Sequence, residues 1–403
     1  MNARTVFRRT LVLLLGTLLP AAAGCGAGAI SAVPTSSGTV PAAGRPETGT
    51  GSPRGVVLFI GDGMGVGQLG TASYLLAGPG GRLAITRMPV TGLVTTWAAN
   101  NLVTDSAAAA TAMATGVKTN RRIIGRDPGG RNLPNLFESA HGAGLATGIV
   151  TTSGLADATP AGFSVHAETR YEYATILRRM LASPYDLLVG GDFTRYERAM
   201  GDPAYRETLE RASELAAPGT AIVRDLEGLR RAEGRVVALL PPRADHPEQH
   251  GPPLAVTVAL ALDRLAADPE GFLLLVETEL TDEAGHHNDL EAVLEGVREL
   301  DAAVAAALAH PDVLVLVTAD HDTGGAGIVD GPLDGKPAKV EWLTHRHTAL
   351  WVPLFAQGPG AAAFTGLLDN TDLPHRIAGA LGLQPPGRVP DAEPTPAGRT
   401  GKP

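Results

Sequence analysis

Asp320 and His321 stand side by side two residues beyond the apolar run Val313–Val317, a carboxylate next to an imidazole. Asp282 and His286 are spaced so that a loop or a helical turn would turn both towards one ion. Asp62 lies between two glycines in Gly61-Asp62-Gly63 and offers a third donor. Any one of these groups alone is more often a cap or a solvated side chain. Gathered at one place they would crowd carboxylates together, which is costly unless cations neutralise them. Mixed Asp/His donors suit zinc, and Asp, Glu and Thr oxygens suit magnesium. Ser106 offers a different chemistry. It lies in Thr104-Asp105-Ser106 and is followed by four alanines, strong helix formers, with Gly116 as a stop. Asp105 or Ser106 therefore begins a helix. Either could be a plain N-cap, the commoner role. Ser106 could instead be a nucleophile at the positive end of the helix dipole, where backbone N–H groups also hold anions.

These residues need elements to carry them. The apolar runs Val56–Ile60, Leu145–Val150, Asp186–Val189, Phe272–Val276, Val313–Val317 and Ala349–Phe355 are expected as strands. Continuous apolar runs imply strands covered on both faces, as in a mainly parallel sheet. Ala107–Ala114, Leu254–Ala267 and Leu290–Leu308 are expected as helices. The expected fold class is α/β, a central mainly parallel sheet with helices on both faces. Four strands then deliver chemistry at their carboxyl ends: Asp62 after the first, Asp157 after Thr151-Thr152-Ser153, Glu277 and Asp282 after Phe272–Val276, and Asp320-His321 after Val313–Val317. In open α/β sheets ligands bind at that edge. Gly65-Val66-Gly67-Gln68-Leu69-Gly70 fits a dinucleotide fingerprint, but the stretch Met88–Val94 supplies no acid at a second strand end, so that reading is set aside.

The chain has 403 residues, 44% of them apolar, enough for a large core. Its net charge is -9 and no dense Lys/Arg cluster interrupts it, which excludes a nucleic-acid partner. Arg4, Arg8 and Arg9 precede the short apolar run Leu11–Leu19 and the small residues Ala21-Ala22-Ala23-Gly24, a signal-peptide pattern too short to span a membrane. Cys25 follows, the only cysteine, so no intramolecular disulfide is available. The placement resembles a bacterial lipoprotein signal, with Ala22 where Leu is usual. Residues 1–25 are expected as signal peptide, with Cys25 lipidated as a membrane anchor. Residues 26–53 are expected as a flexible tether, 54–383 as one catalytic region, and 384–403 as a loose tail.

Six colinear segments together resemble the alkaline phosphatase family. They are Leu58–Gly65, Val103–Ala108 continuing through Thr115–Thr119, Asp157–Ala161 with Arg170 downstream, Val276-Glu277 with Asp282 to His286, Thr318–His321, and His347-Thr348 before a strand ending at Gly358-Pro359. The resemblance implies an exported, metal-dependent phosphomonoesterase with two zinc ions and one magnesium. It implies Asp282, His286 and His347 as ligands of one zinc and Asp62, Asp320 and His321 as ligands of the other. Asp62, Thr159 and Glu277 would bind magnesium, with Asp157 touching its waters. Ser106 would be the nucleophile, passing through a phosphoserine, and Arg170 the phosphate clamp. His345 and His287 are expected to lie outside the ligand set. Two departures stand out. Glu283 follows Asp282 where many relatives carry Lys or His near the phosphate. The stretch from Gly325 to His347 is short, so the family's crown insertion is reduced, and with it part of the usual means of forming a homodimer. A sulfatase is disfavoured, since no Cys/Ser-x-Pro-x-Arg motif surrounds Ser106. A phosphodiesterase or phosphonate hydrolase of the same superfamily, or a silent phosphate-binding lipoprotein, remain as alternatives.

Overall fold

A computed structural model describes residues 51–192, 201–243, 249, 251–333 and 337–387. The signal segment with Cys25, nearly all of the tether, and the tail beyond residue 387 lie outside the described residues. Among the described residues ten strands form the main sheet: β1 (Gly55–Gly61), β2 (Val90–Thr95), β3 (Ala146–Gly154), β4 (Leu187–Gly191), β5 (Ala221–Val223), β6 (Val236–Leu240), β7 (Phe272–Thr278), β8 (Val313–Thr318), β13 (Val352–Gln357) and β14 (Gly366–Asp369), in the order β14-β2-β13-β8-β1-β7-β3-β4-β6-β5. All pair in parallel except β13, which runs against both of its neighbours. β1, β3, β7 and β8 are buried along their whole length, as continuous apolar runs covered on both faces require. They are also neighbours, β8-β1-β7-β3, so all four chemistry-bearing carboxyl ends meet at one edge. This is the expected α/β architecture.

The differences are instructive. The run expected from Ala349 starts as a strand only at Val352, because residues 347–348 pair instead with Asp322–Thr323, β12 against β9. That diversion holds His347 over the sheet edge rather than in the sheet. β2, β5, β6 and β14 were not expected; β2 and β14 are only partly buried, and their patterns carry too few apolar residues to announce a covered strand. In the short stretch between Gly325 and His347, β10 (Gly327–Asp330) and β11 (Lys339–Glu341) form a two-stranded antiparallel ribbon. Gln384 and Pro385 are exposed, Pro386 is buried, and the Gly387 N–H donates to the Pro134 carbonyl at 3.0 Å.

Candidate active site

The helix Ser106–Thr115 settles which residue caps it. Asp105 is extended and its Oδ1 accepts from the Ala108 N–H at 3.1 Å, so Asp105 is the N-cap. The Asp105 carboxylate also accepts twice from the Arg122 N–H, at 3.1 and 3.0 Å. Ser106 is thereby released from capping. Its Oγ, nearly buried, lies 3.3 Å from His321 Nε2 and accepts from Arg170 Nη1 at 3.4 Å.

Asp62 sits just past β1, where Gly63 has φ 69° and lies against the Asp282 backbone, a position closed to side chains. The Gly63 N–H donates to Asp320 Oδ1 at 3.0 Å, and the His321 N–H donates to the same oxygen at 2.8 Å. Both backbone bonds aim Asp320 Oδ2 the other way, to 3.1 Å from His321 Nε2. Asp62 Oδ1 lies 3.5 Å from that nitrogen. Ligand atoms of Asp62, Asp320 and His321 all fall within 4.8 Å of one another. Among the described residues, Asp62 Oδ1 and Asp320 Oδ2 are buried and make no well-formed hydrogen bond.

Beside this cage, the helix Leu280–His287 turns Asp282 and His286 to one face, with His286 Nε2 3.3 Å from Asp282 Oδ2. His347 Nε2 lies 3.6 Å from Asp282 Oδ1. Ligand atoms of Asp282, His321 and His347 likewise fall within 4.8 Å of one another, so His321 belongs to both sets, and His286 lies beside Asp282. The His321 and His347 rings stack with centroids 3.6 Å apart; those of His286 and His347 are 5.1 Å apart. Carbonyls orient two imidazoles: Thr104 O meets His347 Nδ1 at 3.1 Å and His345 O meets His286 Nδ1 at 2.8 Å. His345 thus supports a neighbour through its backbone. Glu283 turns to His287, 3.3 Å away, rather than sharing the stripe of Asp282.

A third group lies towards β3. Glu277 Oε2 accepts from Thr151 Oγ1 at 2.5 Å. Thr159, buried in the helix Ala158–Ser164, comes close enough to Glu277 to favour its ionised form, yet its hydroxyl has no well-formed hydrogen bond. Asp157 caps that helix through the Ala158 N–H at 2.7 Å, accepts from Ser153 Oγ at 3.0 Å, and holds Arg170 Nη2 at 2.7 Å. All the site residues read from the sequence therefore converge on one edge.

Burial drives the electrostatics. It pushes Asp62 far above the usual carboxylate range, with Asp320 and Asp282 adding repulsion. Asp320 is pushed up to about 7 by burial, against the Gly63 N–H, and Glu277 to about 8 by burial, against the Thr151 hydroxyl. Burial would raise Asp282 too, but His286, His347 and His321 hold it low. Burial lowers His321 well below an ordinary imidazole, helped by His347, and lowers His347 likewise. Neutral imidazoles facing crowded carboxylates, with two orphaned acceptor oxygens between them, are an arrangement that divalent cations complete. The residues present fit such a group.

Sequence reasoning missed Thr323. Its hydroxyl bonds Asp282 Oδ1 at 2.5 Å and His321 Nδ1 at 3.2 Å, linking the two cages. The only available signal was a hydroxyl two positions after His321. The glycine-rich stretch has a packing role: a Cβ on Gly65 would overlap the Asp322 carboxylate, and one on Gly67 would overlap the Ala326 carbonyl. Both glycines let the Val66–Ala77 helix close over the loop that carries His321.

A family model described as alkaline phosphatase matches residues 53–183 and 237–332, more than half of the chain. The chain belongs to the alkaline phosphatase family. Streptomycin-6-phosphate phosphatase of Streptomyces griseus is 33% identical, aligning over 86% of this chain and 95% of its own. An alkaline phosphatase of Escherichia coli is 30% identical over 82% and 86%. The solved alkaline phosphatase of the Antarctic bacterium TAB5 superposes with a TM-score of 0.71 at 25% identity, covering 83% of this chain and all of its own. A variant of that enzyme is solved with magnesium in its M3 site. As an alkaline phosphatase family member, this chain is a hydrolase of phosphoric monoesters, and its carboxylate–imidazole groups have the donor chemistry that holds metal ions.

Proposed function

We propose that phosphomonoesters are cleaved through a phosphoserine on Ser106 at a site built for two zinc ions and one magnesium. Asp282, His286 and His347 would hold one zinc, Asp62, Asp320 and His321 the other. Asp62, Thr159 and Glu277 would hold magnesium, with Asp157 reaching its waters. Bound there, the cations supply Lewis-acid chemistry, lowering the pKa of an attacking oxygen and neutralising charge on a departing one. The observation that carries the reading is the position of Ser106 Oγ, between His321 Nε2 and Arg170 Nη1 and free of any capping duty.

Ser106 Oγ, its proton given up to solvent, attacks phosphorus; the ester P–O bond breaks and the leaving oxygen takes a proton from water and departs as the alcohol. Water then cleaves the Oγ–P bond and phosphate leaves. Arg170, fixed by Asp157 at 2.7 Å, presents its guanidinium beside Ser106, where a phosphoryl group would accept two of its N–H donors. Asp105 holds the helix end on which Ser106 rides. Removal of metal by chelation should abolish hydrolysis, and zinc with magnesium should restore it. Ser106→Ala should lose hydrolysis but keep its metals by elemental analysis; a fully active, exhaustively stripped protein would sink the reading.

The same reading includes export and a lipid anchor at Cys25. It rests on Arg4, Arg8 and Arg9, the run Leu11–Leu19 and the small residues before Cys25. The mass of the mature N-terminal residue tests it, and a lipid-free start elsewhere would refute it. Among the described residues no helix is long and apolar enough to cross a membrane.

A further inference from the structure

Arg122 has the left-handed φ of 73°, a conformation strained for any residue with a Cβ. Glycine would take it freely, as Gly116 and Gly125 do on either side. The strained backbone is fixed from two directions. Its N–H donates to both oxygens of Asp105, the cap beneath Ser106, and its carbonyl accepts from the Arg170 N–H at 2.7 Å. Arg122 is thus tied directly to the neighbour of the nucleophile and to the phosphate clamp. Neither bond needs its side chain, yet the side chain is placed too. The exposed guanidinium lies over the Tyr171 ring, 5.8 Å from its centroid, and Tyr171 follows Arg170. Among the described residues no carboxylate pairs with this guanidinium, although the chain carries a net charge of -9.

We propose that Arg122, seated on Tyr171, binds an anionic group on the alcohol portion of the substrate. The favoured substrates are then phosphomonoesters whose leaving alcohol carries a second negative charge, such as a carboxylate, sulfonate or further phosphate. With the phosphoryl group between Ser106 and Arg170, the ester oxygen and its alcohol extend from the buried cage towards solvent. Arg122 and Tyr171 are both exposed, and the Arg122 backbone is bonded to Asp105, the cap beside Ser106, and to Arg170. A guanidinium with no carboxylate partner among the described residues presents planar donors suited to a carboxylate or phosphate, and stacking on the ring limits the conformations it must give up on binding. This deepens the phosphoserine reading and uses its placement of the phosphoryl group.

The test compares phenyl phosphate with 3-carboxyphenyl phosphate on the metal-replete enzyme and on Arg122→Gly. Glycine keeps the N–H and carbonyl bonds and removes the backbone strain, so Tm should not fall. The quantity read is the ratio of kcat/KM for the carboxylated ester to that for phenyl phosphate. Any loss shared by both esters through a shifted backbone cancels in it. The ratio should drop about tenfold in Arg122→Gly, through KM, as loss of a charge-assisted contact implies. Arg122→Lys should recover part of it, and added salt should lower the wild-type ratio. An unchanged ratio in Arg122→Gly would overturn the subsite while leaving the hydrolytic mechanism intact. Loss of the phosphoserine with the ratio still dropping would overturn the mechanism and leave the subsite standing.

Discussion

At the scale of single residues, the site works by removing alternatives. Asp105 takes the capping role, so Ser106 Oγ is left to face His321 and Arg170. Asp157 takes one arm of Arg170, so the guanidinium cannot swing away from Ser106. A monoester offers two charged non-bridging oxygens to that fork, whereas a diester replaces one with an alkoxy group. Arg170→Ala should therefore lower monoester kcat/KM by about ten- to a hundredfold, as loss of a charge-assisted hydrogen bond implies. Its effect on diesters should be much smaller. Steady-state rates of both proteins on both substrates check this, and equal losses would show that Arg170 does not grip the transferred group. The donors themselves were legible because rare residue pairs such as Asp320-His321 follow strong apolar runs. Thr323 was not, because a hydroxyl in a loop has no sequence signal until folding brings Asp282 to it.

At the scale of elements, four central strands set the edge and short diversions finish it. The buried strands β1, β3, β7 and β8 could be read from their apolar runs. The β9–β12 pair could not, since two residues on each side give no pattern, yet it is what brings His347 beside His321. A different limit hid β2 and β14, whose exposed residues dilute the signal. Gly65 and Gly67, which could pass for a nucleotide-binding loop, instead allow the Val66–Ala77 helix to approach the loop from Asp322 to Ala326. Gly67→Ala would drive a methyl into the Ala326 carbonyl, which is backbone and cannot rotate away. It should cost about 1–3 kcal/mol of stability and lower activity, because the same loop carries His321. Denaturant unfolding of metal-loaded protein measures the first; a neutral result would mean the loop gives way freely.

At the scale of the whole molecule, the site is a concentration of buried charge that the fold tolerates only with compensation. In chelated protein, Asp320 near 7 and Glu277 near 8 hold protons more tightly when folded than when unfolded. The stability they contribute is present at low pH and is lost as pH rises through those values. His321 and His347 act the other way, since burial lowers them, but that gain is complete once pH exceeds the ordinary imidazole value of 6.5. Chelated protein should therefore lose stability between about pH 6.5 and 8. Cation-loaded protein, its carboxylates held ionised, should not. Paired denaturant titrations across that window decide it, and parallel curves would argue against cations as the compensating charges. The most direct test of the account is to mix metal-replete enzyme with a phosphomonoester, quench it in acid, and map bound phosphate by peptide mass spectrometry. The account predicts phosphate on Ser106 and none after Ser106→Ala; turnover with no phosphopeptide, or with phosphate on another residue, would contradict it.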